Sequence, residues 1–245
     1  MFFASASTLY TIDILVAIMF LIISYLIGSI PFGIVIGKAL TGKDIRNYGS
    51  KNIGSTNAIR VLGKKIGFLV FFCDVLKGMV VILIVKALNS SGVWVTPIAE
   101  MWYGLAAIIG HSFSIFLGYK GGKAVATSLG VVLVTTPLSA ILCLIAFLIV
   151  LKTTGYVSLA STAATITVVA TAWILYGVGM PIVENSFSTF FPAYLIGKTP
   201  LVLCILLSCV ATLIILKHIK NYKRLINGTE NNFKKSKKAK VEANQ

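Results

Sequence analysis

Two glycine-rich segments carry the residue types that bind phosphate. The first, Gly49-Ser50-Lys51-Asn52-Ile53-Gly54-Ser55-Thr56-Asn57-Ala58-Ile59-Arg60, gathers glycines, hydroxyls, amides and a guanidinium into one short stretch. Glycine lets backbone N–H groups approach a ligand, hydroxyls and amides donate, and Arg forks onto phosphate oxygens. The same residues also suit a solvated loop running into a short interfacial helix, since Asn and Gly are ordinary turn formers. The second segment, Lys120-Gly121-Gly122-Lys123-Ala124-Val125-Ala126-Thr127, sets two glycines and two lysines ahead of a helix start. Unpaired N–H groups and the positive helix end favour an anion there. It does not satisfy the Walker pattern GxxxxGK[ST], and it also suits a basic anchor with a flexible hinge.

Weaker signals lie elsewhere. Tyr156-Val157-Ser158-Leu159-Ala160-Ser161 sets small residues at a helix start, a pattern as suited to capping and packing as to substrate. Asp74 and Lys77 are spaced i,i+3 within an apolar run and can pair on one helix face. His111 stands nine residues before Lys120, which puts it near the second glycine segment. His218 and Asn221 share a helix face just beyond the last apolar run. No HxxxxD or HExxH pattern and no Asp-rich repeat occurs, and the acids are only Asp13, Asp44, Asp74, Glu100, Glu184, Glu230 and Glu242. Paired-carboxylate and metal chemistry therefore have little material. Cys73, Cys143, Cys204 and Cys209 all fall in apolar runs without CxxC spacing and read as small buried hydrophobes.

These segments are held by a membrane chain. Of 245 residues, 57% are hydrophobic and 12% charged, with mean hydropathy +0.93, which excludes an ordinary soluble domain and disorder over most of the length. The 22 Lys and Arg against 7 acids give +15. They sit between apolar runs, so they report topology, and no nucleic-acid partner is implied. No Lys or Arg precedes Lys38, so the basic region of a cleavable signal is missing and the first span inserts N-terminus outside. Apolar runs cover about 12–36 with a kink near Pro31, then 66–88, 99–118, 124–151, 161–180 and 195–216. The run 124–151 contains Pro137. As one helix it would be about 42 Å long at 1.5 Å per residue, against a hydrocarbon core of about 30 Å. Split at Thr136–Pro137, it gives seven spans and puts nineteen of the 22 basic residues on the cytoplasmic side.

The expected architecture is an all-α integral membrane protein. It has seven transmembrane helices, the fourth and fifth short, with the N-terminus outside and the C-terminus cytoplasmic. Residues 1–216 form one membrane domain with cytoplasmic motif loops at 38–65, 119–127 and 152–161, and 217–245 form a basic tail.

The ordered motifs resemble those of the bacterial membrane-integral acyl-phosphate:glycerol-3-phosphate acyltransferases, the PlsY family. Gly28–Gly33 matches Gly-Ser-Ile-Pro-Phe-Gly. Asp44–Arg60 matches Asp-x-Arg-x-x-Gly-Ser-Gly-Asn-x-Gly-(Ala/Ser)-Thr-Asn-x-x-Arg. Asp74–Gly78, Gly110–His111, 120–127, 156–161, His218–Asn221 and Arg224–Glu230 follow in order. The resemblance implies transfer of a fatty acyl group from acyl phosphate to the sn-1 hydroxyl of glycerol 3-phosphate, giving lysophosphatidic acid and phosphate. It implies no cofactor and no metal, a bacterial inner membrane location, membrane lipid as surroundings and a monomer. Ser50, Arg60, Lys123, His218 and Asn221 would be catalytic. Asn52, Asn57, Lys120, Gly121, Gly122, Thr127, Ser158 and Ser161 would bind substrate. Three positions depart from the family pattern: Lys51 and Ala124 replace Gly, and Ile219 stands where an Arg commonly follows the His. Lys51 would crowd its loop if that Gly needs positive φ, and Ala124 would hinder close approach of phosphate. A divergent paralogue, or a transporter for a phosphorylated solute with a broken helix, is the alternative reading.

Overall fold

A computed structural model describes residues 6–179 and 201–233. The chain forms helices α1 (Ala6–Ser29), α2 (Phe32–Thr41), α3 (Ser55–Leu62), α4 (Lys64–Ser90) and α5 (Met101–Ser112). These are followed by α6 (Val125–Thr135), α7 (Pro137–Thr154), α8 (Val157–Gly177), α9 (Leu201–Lys217) and α10 (Ile219–Ile226). Single 3₁₀ turns lie at Ile45–Asn47 and Ile115–Leu117, and no strand occurs among the described residues. Among the described residues, four helices are long and apolar enough to cross a membrane: α1 from Tyr10, α4, α7 and α8. The α9–α10 pair passes the same test as a broken span, bent by 48°. Shorter apolar helices are α2, α6 and the stretch Met101–Leu117.

The chain divides into two compact units, which meet in sequence between Thr135 and Thr136. In the first, the apolar run beginning at Ile12 breaks at Pro31, which has no N–H to continue the helix. Lys77 on α4 caps the Ile30 carbonyl at this break, with Nζ at 2.8 Å. The same ammonium lies 2.7 Å from Asp74 Oδ1, so the i,i+3 pair forms and is buried. α1 runs along α5, tied by Ser24 Oγ to Tyr103 O (2.6 Å), and Ser114 Oγ beyond α5 bonds Ser29 O (2.6 Å). α6 packs on α4 at backbone distance: a Cβ on Gly78 would overlap Thr127 O, and one on Gly130 would overlap Val75 O.

A second buried ion pair is invisible to the sequence pattern. Lys86 Nζ lies 3.3 Å from Glu100 Oε2 and donates to Val134 O (3.2 Å) in the last turn of α6. It joins α4, the start of α5 and the carbonyl end of α6, where a helix shorter than the membrane leaves acceptors unpaired.

In the second unit, Pro137 opens α7 within its first turn. Gly155, at φ +76°, ends α7 in a left-handed cap whose N–H reaches Leu151 O (2.9 Å). The 124–151 run is thus two helices, with Thr136 at φ −145° and ψ 68° between them. α8 starts at Val157, several residues before the expected span, because Gly155 and Tyr156 complete the turn by themselves. Ser158 and Ser161 therefore belong to the first turns of a helix and not to a loop. α8 pairs with both α7 and α9, with Trp173 Nε1 donating to Ser208 Oγ (3.1 Å). Cys143 and Cys204 are buried as expected, Cys73 is half-buried, and Cys209 faces outward. The span start at Leu195, the connection 181–194 with Lys198 beyond it, and the tail lysines from Lys234 lie outside the described residues.

Removing one partner of the Lys86–Glu100 pair strands a buried charge. Glu100→Gln or Lys86→Met should each destabilise the protein by about 3–5 kcal/mol, and the double variant by less than the sum. Thermal unfolding in detergent of the two single variants and the double variant checks this.

Candidate active site

The first glycine segment is organised around one side chain. Asn57, in the first turn of α3 and 1% exposed, donates through Nδ2 to Ile45 O (2.9 Å), Tyr48 O (3.2 Å) and Asn52 O (2.9 Å). Its Oδ1 accepts the Ser50 N–H at 2.9 Å. Both ends of the amide are thereby engaged with the chain around Ser50, and Asn57 shapes this loop. Asn52 Oδ1 accepts Gly54 N–H (3.0 Å), an Asx turn leading into α3. Ser50 and Arg60 are half-buried on the rim of this structure. Gly49 lies at φ +60° with no room for a Cβ beside Asn57 Oδ1. The loop entrance is fixed by Asp44, whose Oδ2 lies 2.7 Å from Arg46 and 3.4 Å from Lys38. The hydrogen-bonded Arg46 guanidinium holds the Asp44 carboxyl well below the usual carboxylate range.

The second glycine segment rests on His111. Gly122 N–H donates to His111 O (2.9 Å), and any Cβ on Gly122 would run into the imidazole ring. His111 Nδ1 lies 3.7 Å from Asp74 Oδ1, so the buried Asp74–Lys77 pair supports the loop from below. Lys120 is exposed, and Gly121 and Lys123 are half-buried. Ala124 is 1% exposed at φ +58° and precedes the first residue of α6. Thr127, fully buried in the first turn of α6, has an Oγ1 with no hydrogen-bond partner among the described residues. Leu117, just before this segment, packs on the apolar cluster of Ile34, Ile45, Ile53, Ala58 and Val70 that underlies the first loop. One hydrophobic floor thus carries both cationic loops.

In the second unit, Glu230 is the hub, a role the sequence alone does not mark. Its carboxylate accepts from Asn221 Nδ2 (2.7 Å) and from Arg224 Nε (2.7 Å). Burial alone would raise its pKa, but the Arg224 and Asn221 hydrogen bonds outweigh that and hold it below the ordinary value. The buried Ser158 hydroxyl adds a smaller lowering influence on the same carboxyl. The chain beyond Glu230 straps back onto the α7–α8 turn: Asn232 Nδ2 donates to Thr154 O (3.0 Å) and Phe233 N–H to Gly155 O (2.9 Å). His218, 2% exposed, stands at the bend between α9 and α10 with Nδ1 2.8 Å from Ile214 O. A carbonyl only accepts, so the neutral ring carries its proton on Nδ1 and Nε2 is the basic nitrogen. Tyr222 stacks on this ring and shares a 2.6 Å hydrogen bond with Thr162 of α8. Ser161 is buried one turn before Thr165, whose hydroxyl bonds its carbonyl (2.8 Å). The Arg-Leu-x-x-Gly-Thr-Glu run singles out this stretch in the sequence, but only packing makes Glu230 its hub. No group of three or more His, Cys, Asp or Glu is arranged as a metal ligand set among the described residues.

Apolar helices broken at two prolines, with two basic glycine loops beside one apolar cluster, define an all-helical protein of the polytopic membrane class. The glycerol-3-phosphate acyltransferase family model matches residues 18–228. A Bacillus anthracis protein named glycerol-3-phosphate acyltransferase 2 is 42% identical over 214 residues, 87% of this chain and 97% of its own. The Aquifex aeolicus glycerol-3-phosphate acyltransferase is 42% identical over 89% of this chain and 99% of its own. The crystal structure of PlsY (YgiH), an integral membrane glycerol 3-phosphate acyltransferase, in its glycerol 3-phosphate form, superposes with TM-score 0.71 and 39% identity. That match covers 89% of this chain and 95% of that one. The lysophosphatidic acid form of PlsY gives TM-score 0.69 and 36% identity, over 88% and 94% of the two chains. This chain belongs to the glycerol-3-phosphate acyltransferase family.

Lys51 (φ +59°) and Ala124 (φ +58°) occupy the left-handed region in which the family pattern has Gly. A side chain there costs about 1–2 kcal/mol, so Lys51→Gly and Ala124→Gly should each stabilise the fold by about 1 kcal/mol, read as a rise in the unfolding midpoint. The strap is pH-sensitive in one direction. Glu230 has a lowered folded pKa, so its contribution is present above the unfolded value of about 4.3 and is lost as pH falls through the folded one. Hydrogen exchange at 229–233 should accelerate below that range in the wild type, and Glu230→Gln should show the fast rate already at neutral pH.

Proposed function

We propose that this chain is an acyl-phosphate-dependent glycerol-3-phosphate 1-O-acyltransferase of the bacterial cytoplasmic membrane. It has seven spans, its N-terminus outside, its C-terminus and site facing the cytoplasm, and it acts in phospholipid synthesis. The observation that carries this reading is the pair of preorganised cationic loops on one hydrophobic floor. The reaction brings together two substrates that each bear a phosphate, and a phosphate-bearing donor accounts for the second anion site where a single-phosphate transporter does not. In this reading Ser50 and Arg60 take one phosphate, with Asn52 and Asn57 shaping their loop. Lys120, Lys123, the Gly121 and Gly122 backbone and Thr127 take the other. Ser158, Ser161, His218 and Asn221 complete the substrate surroundings.

The chemistry requires little of the protein. The sn-1 oxygen of glycerol 3-phosphate attacks the acyl carbonyl carbon, the bond from that carbon to the phosphate oxygen breaks, and inorganic phosphate leaves. An acyl phosphate is already activated, so proximity and cationic stabilisation of the developing charge suffice, with no acyl-enzyme. The hydroxyl proton passes to a substrate phosphate, whose second pKa is near 6. His218 Nε2 is the competing acceptor.

Purified protein given palmitoyl phosphate and radiolabelled glycerol 3-phosphate should form lysophosphatidic acid, and acyl-CoA should not replace the donor. Arg60→Ala should lose activity by at least about a hundredfold, the scale of one lost charge-assisted contact of about 3 kcal/mol. His218→Ala separates the proton routes. A base role predicts a loss of about 10²–10⁴ with an altered pH profile, whereas phosphate as acceptor predicts a loss of a few-fold at all pH values. No product with either donor from folded protein would overturn the assignment.

A further inference from the structure

Helix α10 presents two faces with different chemistry. His218, at its N-terminal boundary, and Asn221 are buried, and Tyr222 and Leu225 are half-buried. The opposite face carries Ile219 (44% exposed) and Ile226 (84% exposed) together with exposed Lys220 and Lys223. Ile219, Lys223 and Ile226 are spaced i, i+4, i+7, so they form one stripe. The helix leaves the axis of α9 by 48° directly after the last apolar turn, at Lys217 and His218. A short helix that turns away at the end of a span, with isoleucines and lysines on its outer side, has the composition of an interfacial helix. Five more lysines follow at 234, 235, 237, 238 and 240, with no acid from 231 to 241. Glu230, the single acid nearby, is turned inward onto Asn221 and Arg224.

We propose that the outer face of α10 docks on the surface of the surrounding bilayer, its isoleucines in the interface and its lysines on anionic phospholipid headgroups. Because Asn221 is on the same short helix and His218 adjoins it, anionic lipid holds both side chains in place. The bilayer thereby sets the activity of the site through a surface that does not touch substrate. Lys220 and Lys223 supply the charge complementarity, attraction that rises with anionic lipid and falls with salt.

The test compares wild type with Lys220→Gln/Lys223→Gln and with the same pair plus Ile226→Ser, each in nanodiscs of zwitterionic lipid alone or with phosphatidylglycerol. All three positions are exposed and outside the substrate surroundings. Phosphatidylglycerol should slow hydrogen exchange of 219–226 several-fold in the wild type, the effect should shrink in both variants, and high salt should abolish it. Acyl transfer in the wild type should rise several-fold with phosphatidylglycerol, while both variants keep the lower, zwitterionic-lipid rate. Equal exchange in the two bilayers, or an undiminished response in the variants, would overturn the proposal. The activity readout rests on the acyltransferase reading and the exchange readout does not. If that reading fails, exchange still tests the docking of α10 by itself.

Discussion

A backbone carbonyl left unpaired in hydrocarbon costs several kcal/mol, and this chain breaks its helices within apolar sequence. At Pro31 the Ile30 carbonyl lacks a helical partner and accepts from the Phe32 N–H and from Lys77, whose own charge is met by Asp74. That ion pair is more than a patch on a broken helix. Asp74 also faces His111, and His111 accepts the Gly122 N–H through its carbonyl while its ring fills the space below that glycine. The cost of one helix break is therefore tied to the shape of the second glycine loop. Lys86 has the corresponding role at the other end of α6, joining Glu100 to Val134 O. A helix of 11 residues cannot satisfy its own ends in a bilayer, and Lys86 from α4 meets one carbonyl at its C-terminal end.

The first loop is held from within, the second by His111 beneath it. Asn57 uses one buried amide to pin four backbone groups between Ile45 and Asn52, which sets Ser50 before any ligand arrives. Preorganisation of this kind matters most where electrostatics does the chemistry, because a donor already in place does not reorganise as charge develops. Lys51 and Ala124 keep left-handed backbone despite having side chains. The surrounding hydrogen bonds therefore impose the loop shape even where the local residue opposes it. The departure from glycine is absorbed as strain and the conformation is kept.

In the second unit the same arrangement appears with the signs exchanged. One carboxylate, Glu230, gathers an amide, a guanidinium and the vicinity of a buried hydroxyl, while Asn232 and Phe233 fasten the strap to the α7–α8 turn.

Much is legible in the residues alone. Hydropathy and basic-residue bias identify a helical membrane chain, and Pro31 and Pro137 mark its breaks, because a proline removes a backbone donor wherever it stands. The spacing of Asp74 and Lys77 implies their pairing, since i,i+3 positions on a helix are neighbours irrespective of fold. The glycine segments stand out by composition as two compact basic loops. What tertiary structure decides is every relation between residues distant in sequence. Asn57 has the chemistry of a phosphate ligand, and packing makes it the frame of its loop. Lys86 stands near the C-terminal end of α4 as a lone charge in the sequence, and packing pairs it with Glu100. Glu230 is one acid in a basic tail, and packing makes it the residue that holds Asn221. A side chain's type fixes the bonds it can make, but burial and the partners brought to it by packing decide which of them it makes.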